Sequence, residues 1–177
     1  MKPSWTILRK CRVLVVGMVL LAAVPLMSAQ QTPELRVTSD DVPVSRSCRI
    51  VIPPGTVIED KNNNGVIQVV ASRIEIEFVE GSVLRGSPQG RRPDEYAGYG
   101  IRIEGQTHVV VRNTAISGFR AALWATGADG LTLEGIDASD NRRAYLRSPP
   151  LAEDSSDWLY PHDNDDNEGL SRYGAAI

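Results

Sequence analysis

Residues 100–121 read GIRIEGQTHVVVRNTAISGFRA, and residues 122–143 read ALWATGADGLTLEGIDASDNRR. Set one above the other they match one repeat apart, with Ile101 over Leu123, Gly105 over Gly127, Val109 over Leu131, Val111 over Leu133 and Ser117 over Ser139. The chain writes one structural unit twice.

Each copy holds a short alternating run, a glycine turn, a second alternating run, a polar break and a further apolar position, Ile116 in one and Ala138 in the other. Alternation at period two turns one face of each run inward, and runs this short and this rich in β-branched residues are strands rather than helices. One such unit cannot bury its own apolar face. Stacked copies can, by pairing strand to strand and filling the shared axis with Ile, Val and Leu. The fold class expected is therefore all-β, a single-stranded parallel β-helix (solenoid) with Ile103, Val109, Val111, Ile116, Leu131 and Leu133 inward, truncated after about three coils.

The longer pattern G-I-x-I-x-G-x-x-x-V-x-V-x-N-x-x-I-x-G-F at residues 100–119 resembles the right-handed parallel β-helix proteins of the pectate-lyase-like superfamily, especially the bacterial carbohydrate-associated group with NosD-type repeats. Asn113 stands where such coils turn sharply, and asparagine tolerates the left-handed backbone region; Gly135 takes that place in the second copy. The segment CRIVIPPGTVI at residues 48–58 is similar to the superfamily's first strand. The resemblance implies an exported protein that binds a polysaccharide, or in full-length form processes one as a lyase, hydrolase or epimerase. The alternative is a non-catalytic structural or adhesive surface scaffold.

Outward from the repeat, residues 1–29 read as a signal peptide. Lys2, Arg9, Lys10 and Arg12 precede an apolar run at 13–26, and Ser28-Ala29 offers a small-residue cleavage site. The run is too short for a comfortable membrane span, so the expectation is export to the periplasm or the exterior with no stable span after cleavage. Removing those four basic residues leaves 15 basic against 22 acidic ones, a net charge of −7. That balance gives nucleic acid no basic face to grip. Cys11 leaves with the signal, so Cys48 stands alone as a small buried hydrophobe and no disulfide framework is expected. Residues 30–47 read as an extended lead-in and cap with one edge strand around residues 35–37, and residues 48–177 as coils with insertions at 86–98 and 148–172.

Within the coils, DKNNNG at residues 60–65 has the alternating oxygens of a calcium loop, but Ala71 occupies the twelfth position where a bidentate Glu belongs. It reads as a polar turn. Ile74 and Ile76 match Val109 and Val111, which turns Glu75 and Glu77 outward. The insertion at residues 86–98 falls where solenoids build groove walls, and it carries Arg91 and Arg92.

The second insertion holds seven acids between Arg147 and Arg172 and no basic residue. Aromatic rings stack on sugar faces and carboxylates bond hydroxyls, so Trp158, Tyr160 and Asp157 are the expected ligand-binding residues. Pro161-His162-Asp163 is similar to the D-P-H-D motif of β-helical alginate epimerases, with Tyr160 in place of the first Asp; the resemblance makes His162 and Asp163 the catalytic candidates. Asp163, Asp165 and Asn167 alternate as metal oxygens do, and calcium is the one cation they suggest, although Glu168 stands where an EF-type loop needs glycine. No cofactor is otherwise implied. Residues 173–177 repeat the opening of residues 99–103, as though a further coil begins there.

Overall fold

Short runs with an apolar residue at every second position can satisfy their backbone N–H and C=O groups only beside other strands. The structure, a computed structural model, describes residues 32–143, and there the regular structure is almost entirely strand. The strands are β1 Glu34–Arg36, β2 Val42–Val44, β3 Cys48–Val51, β4 Ile67–Val69, β5 Glu75–Phe78, β6 Val83–Arg85, β7 Tyr99–Glu104, β8 Val110–Ser117, β9 Ala121–Thr126 and β10 Thr132–Asp137. The insertion at 86–98 holds a single 3₁₀ turn, Pro93–Glu95. No helix among the described residues is long and apolar enough to cross a membrane. The expected signal peptide and the insertion at 148–172, with Asp157, Trp158, Tyr160, His162, Asp163, Asp165 and Asn167, lie outside the described residues.

The all-β expectation holds, and every strand pair is parallel. One sheet runs β1-β3-β5-β8-β10 with β6 also beside β8, and the other runs β2-β4-β7-β9. The chain therefore changes sheet at almost every connection, and each parallel crossover passes through a strand of the other sheet where α/β folds use a helix.

The offset between the two copies of the repeat is also the hydrogen-bond register of the last strand pair in each sheet. Ile101 pairs with Leu123 and Ile103 with Ala125 between β7 and β9, and Val111 pairs with Leu133 between β8 and β10. The turns repeat as faithfully as the strands. Left-handed φ values occur at Gly105 and Gly127 (66° and 61°), His108 and Gly130 (54° and 65°), Asn113 and Gly135 (60° and 62°), and Gly118 and Asp140 (78° and 54°). Each pair is one repeat apart. A side chain at such a position costs roughly 1 kcal/mol; there the His108 amide donates to the Asp129 carbonyl and the Asp140 carbonyl accepts from the Gly118 amide. Asn113 bends β8, which lets β5 pair its first half and β6 its second.

Ile50, Ile67, Ile76, Ile101, Ile103, Val109, Val111, Ile116 and Leu123 are fully buried between the sheets. Leu131 and Leu133, expected inward, do pack against this core, but they are only partly buried. Gly86 is required where it stands, because a Cβ there would lie 2.4 Å from the buried ring of Phe119. The lead-in departs from expectation by holding two strands, with Val37 and Val44 buried in the core. β1 pairs with β3 and β2 with β4, so residues 34–44 are continuous with the sheets. Pro43 fits in β2 because β2 is an edge strand.

The outer face of the larger sheet carries a charge ladder. Glu34 lies beside Arg49, Arg49 beside Glu77, Glu77 beside Arg112 and Arg112 beside Glu134, one residue per strand with alternating sign. Arg49 lies 3.5 Å from Glu34 and 3.8 Å from Glu77, and Arg112 also pairs with Glu75. Exposed pairs of this kind are worth under about 1 kcal/mol each. Burying an Ile or Val side chain is worth about 1.5–3 kcal/mol, so the buried core supplies more stability than the ladder.

Replacing Val111 by Asp puts an unpaired charge in that core and is expected to lower the unfolding free energy by about 4 kcal/mol or more. Urea denaturation followed by circular dichroism measures it; an unchanged midpoint would contradict the inward placement.

Candidate functional site

With inward positions committed to the core, chemistry is left to the outward ones, and on the smaller sheet these line up. Pro43 pairs with Gln68, Gln68 with Arg102, and Arg102 with Trp124, giving a row that crosses β2, β4, β7 and β9. The sequence neighbours of Gln68 and Arg102, namely Ile67, Val69, Ile101 and Ile103, are buried. Trp124 packs against Tyr99 with ring centroids 5.6 Å apart and planes tilted by 34°, and it remains partly exposed at the end of the row.

Arg102 is held from two sides. Its guanidinium donates to the backbone oxygen of Asn63 at 3.2 Å and to Glu104 Oε2 at 3.0 Å. Its Nε has no partner among the described residues, nor has Oδ1 of Asn64. Both residues line a cleft of ≈ 360 Å³ with Gln68, Val70, Glu104 and Gln106. Donors (guanidinium, amide) and acceptors (carboxylate, amide oxygen) alternate beside an aromatic ring, a surface suited to a ligand with many hydroxyls. Glu104 neutralises Arg102, and Asp41, bonded to Gln68, adds one further negative charge.

The turn that supports the row is the DKNNNG segment. The buried Asp60 carboxylate accepts from four backbone amides: Asn62 and Asn64 at 3.3 Å each, Gly65 at 3.0 Å and Tyr99 at 2.8 Å. Its oxygens are thus committed to the turn, as the absent closing Glu suggests. Asp41 accepts from the side-chain amides of Asn64 at 2.6 Å, Asn62 at 3.2 Å and Gln68 at 3.0 Å. Those amides, Asn64 first, hold the Asp41 carboxyl below its usual value. Among the described residues no group of His, Cys, Asp and Glu is arranged to hold a metal ion. Cys48 is buried, and burial pushes its thiol up, the behaviour of a core residue. Arg91 and Arg92, in the first insertion, are occupied by Glu59 and by Asp94 and Glu95 respectively.

Gln68, Arg102 and Trp124 are absent from the candidates chosen on sequence, which fall on Asp157, Trp158, Tyr160, His162, Asp163, Asp165 and Asn167, outside the described residues. A signal was present all the same: Arg102 and Trp124 occupy the same outward position one repeat apart. No family model, curated protein or solved structure matches the chain.

The Asp41 hub gives the supporting turn a pH dependence of definite sign. A carboxyl whose folded pKa lies below the unfolded value of 3.8 stabilises the fold above that value, and the contribution fades as pH falls through the lower folded pKa. Asp137, held down by the Ser139 hydroxyl and amide, acts in the same direction. Asp41→Asn is therefore expected to flatten the fall of melting temperature between about pH 5 and about pH 3 without abolishing it. Identical pH profiles for the variant and the parent would rule the hub out.

Proposed function

We propose that this chain is an exported right-handed parallel β-helix of the pectate-lyase-like kind that binds a neutral polysaccharide across the row Gln68–Arg102–Trp124. The chain's repeated passage between two parallel sheets, in a register that matches the sequence repeat over its last two units, supports the coil. The apolar run and small-residue site at residues 13–29 support export.

The observation that carries the binding reading is Arg102 itself. It lies between an amide on one neighbouring strand and an indole on the other, in the lining of an open cleft. Parallel strands spaced about 4.8 Å apart present these groups periodically, and a polymer of sugar rings is a periodic ligand. Charge selects the class. With Glu104 bonded to Arg102, Asp41 close by and the exported chain carrying more acids than bases, a polyuronate is repelled, whereas a neutral glycan meets no such penalty.

Affinity electrophoresis through gels containing xylan, β-glucan, mannan or polygalacturonate tests this directly. At least one neutral polymer is expected to retard the protein, and Trp124→Ala is expected to weaken that retardation about ten-fold, the loss of one stacking ring. Failure of every neutral polymer to retard the folded protein, or undiminished retardation of the variant, would refute the proposal and leave the scaffold alternative.

A further inference from the structure

We propose a second ligand site, on the larger sheet around β6, that takes a small monocarboxylate with an apolar body. Its floor follows from strand alternation. Leu84 enters the core, which turns Val83 and Arg85 outward. The turn that follows β3 is tied alongside by the Ile58 amide, which donates to the Arg85 carbonyl at 2.8 Å. Between the two lies a cleft of ≈ 400 Å³ walled by Pro53, Pro54, Val57 and Val83, a size in the range of small-molecule sites.

Two features set this cleft apart. Val57 and Val83, 39% and 37% exposed, are two of the three large hydrophobic side chains left exposed among the described residues, and they share this one cleft. Arg85 is the only charged residue lining it, and among the described residues its guanidinium has no ion pair or hydrogen bond. Arg49, Arg91, Arg92, Arg102, Arg112 and Arg143 are all paired with acids; Arg36, Arg46, Arg73 and Arg120 also lack an ion pair among the described residues, and what distinguishes Arg85 from them is the exposed valine wall beside it. Arg85 and Gln89 also border a smaller polar cleft of ≈ 190 Å³ with Ser87, Tyr96 and Ser117, so the cation sits where an apolar pocket meets a polar one.

A single unpaired guanidinium beside an apolar wall selects a ligand with one negative charge and a hydrocarbon body. A carboxylate fits the planar fork of arginine, with the Gln89 amide as a second donor in the same lining. A sugar acid fits poorly, because walls of proline and valine would leave its hydroxyls without partners. This site is independent of the glycan row and stands or falls apart from it.

Isothermal titration of the full chain with hexanoate, 1-hexanol and galacturonate separates the possibilities. Hexanoate is expected to bind saturably with a Kd below about 1 mM. Hexanol and galacturonate should each bind at least about ten-fold more weakly. Arg85→Gln should weaken hexanoate to the level of hexanol while leaving the melting curve unchanged. Val83→Asn, altering the wall and not the charge, should weaken hexanoate and hexanol alike. No saturable hexanoate binding, equal hexanoate affinity in Arg85→Gln and the parent, or a preference for galacturonate would each overturn the proposal.

Discussion

A single unit of the repeat has one apolar stripe and no partner of its own, so it becomes stable only when the next unit lays its stripe over the first in matching register. For that to work, both units must follow the same backbone path, and they do. The left-handed positions fall in the same places whether glycine, asparagine, histidine or aspartate supplies them. Val111 over Leu133 and Ile101 over Leu123 then align without adjustment.

Departures from the repeat are compensated locally. Where one unit buries Phe119, the next has Asn141 one repeat on, and its amide fills the corner with hydrogen bonds. It accepts from the Phe119 amide at 3.1 Å and donates to the carbonyls of Ile116 at 2.9 Å and Ala138 at 2.8 Å. Asp60 performs the same service earlier in the chain, tying a polar turn to β7 through the Tyr99 amide. A buried carboxylate or amide is tolerable only when its bonds are made, and at both corners they are made to backbone. The insertion after β6 starts on Gly86 and Ser87, both buried, with the Ser87 hydroxyl donating to the Gly118 carbonyl at 2.7 Å. The irregular segments thus build clefts without disturbing the buried core.

Period-two alternation and the self-match at residues 100–143 expose the strand class, the match of Ile76 with Val111, the outward turn of Glu75 and Glu77, and the bend at Asn113, because each is local or strictly periodic. β2 escapes such reading because Val42-Pro43-Val44 is too short to show alternation and contains a residue that argues against strand. The charge ladder is invisible for a different reason. Glu34 and Arg49 are 15 positions apart while Arg112 and Glu134 are 22 apart, so turns of unequal length hide a row that is straight in space. The same irregularity conceals the Gln68–Arg102–Trp124 row, while the conspicuous acids and aromatics of residues 151–172 draw attention to a segment outside the described residues.

Register is also what can be measured most directly. Val110 and Thr132 are paired neighbours on adjacent strands, at a separation of about 5 Å that a disulfide spans. Leu133 is one residue further and faces the other side of the sheet. With Cys11 replaced by Ser and Cys48 by Ala, the double variant Val110→Cys/Thr132→Cys should close an intramolecular disulfide on mild oxidation, and Val110→Cys/Leu133→Cys should not, as read by peptide mass mapping. A bond in the second variant in place of the first would mean that the two copies of the repeat do not stack in this register, and would contradict the proposed coil.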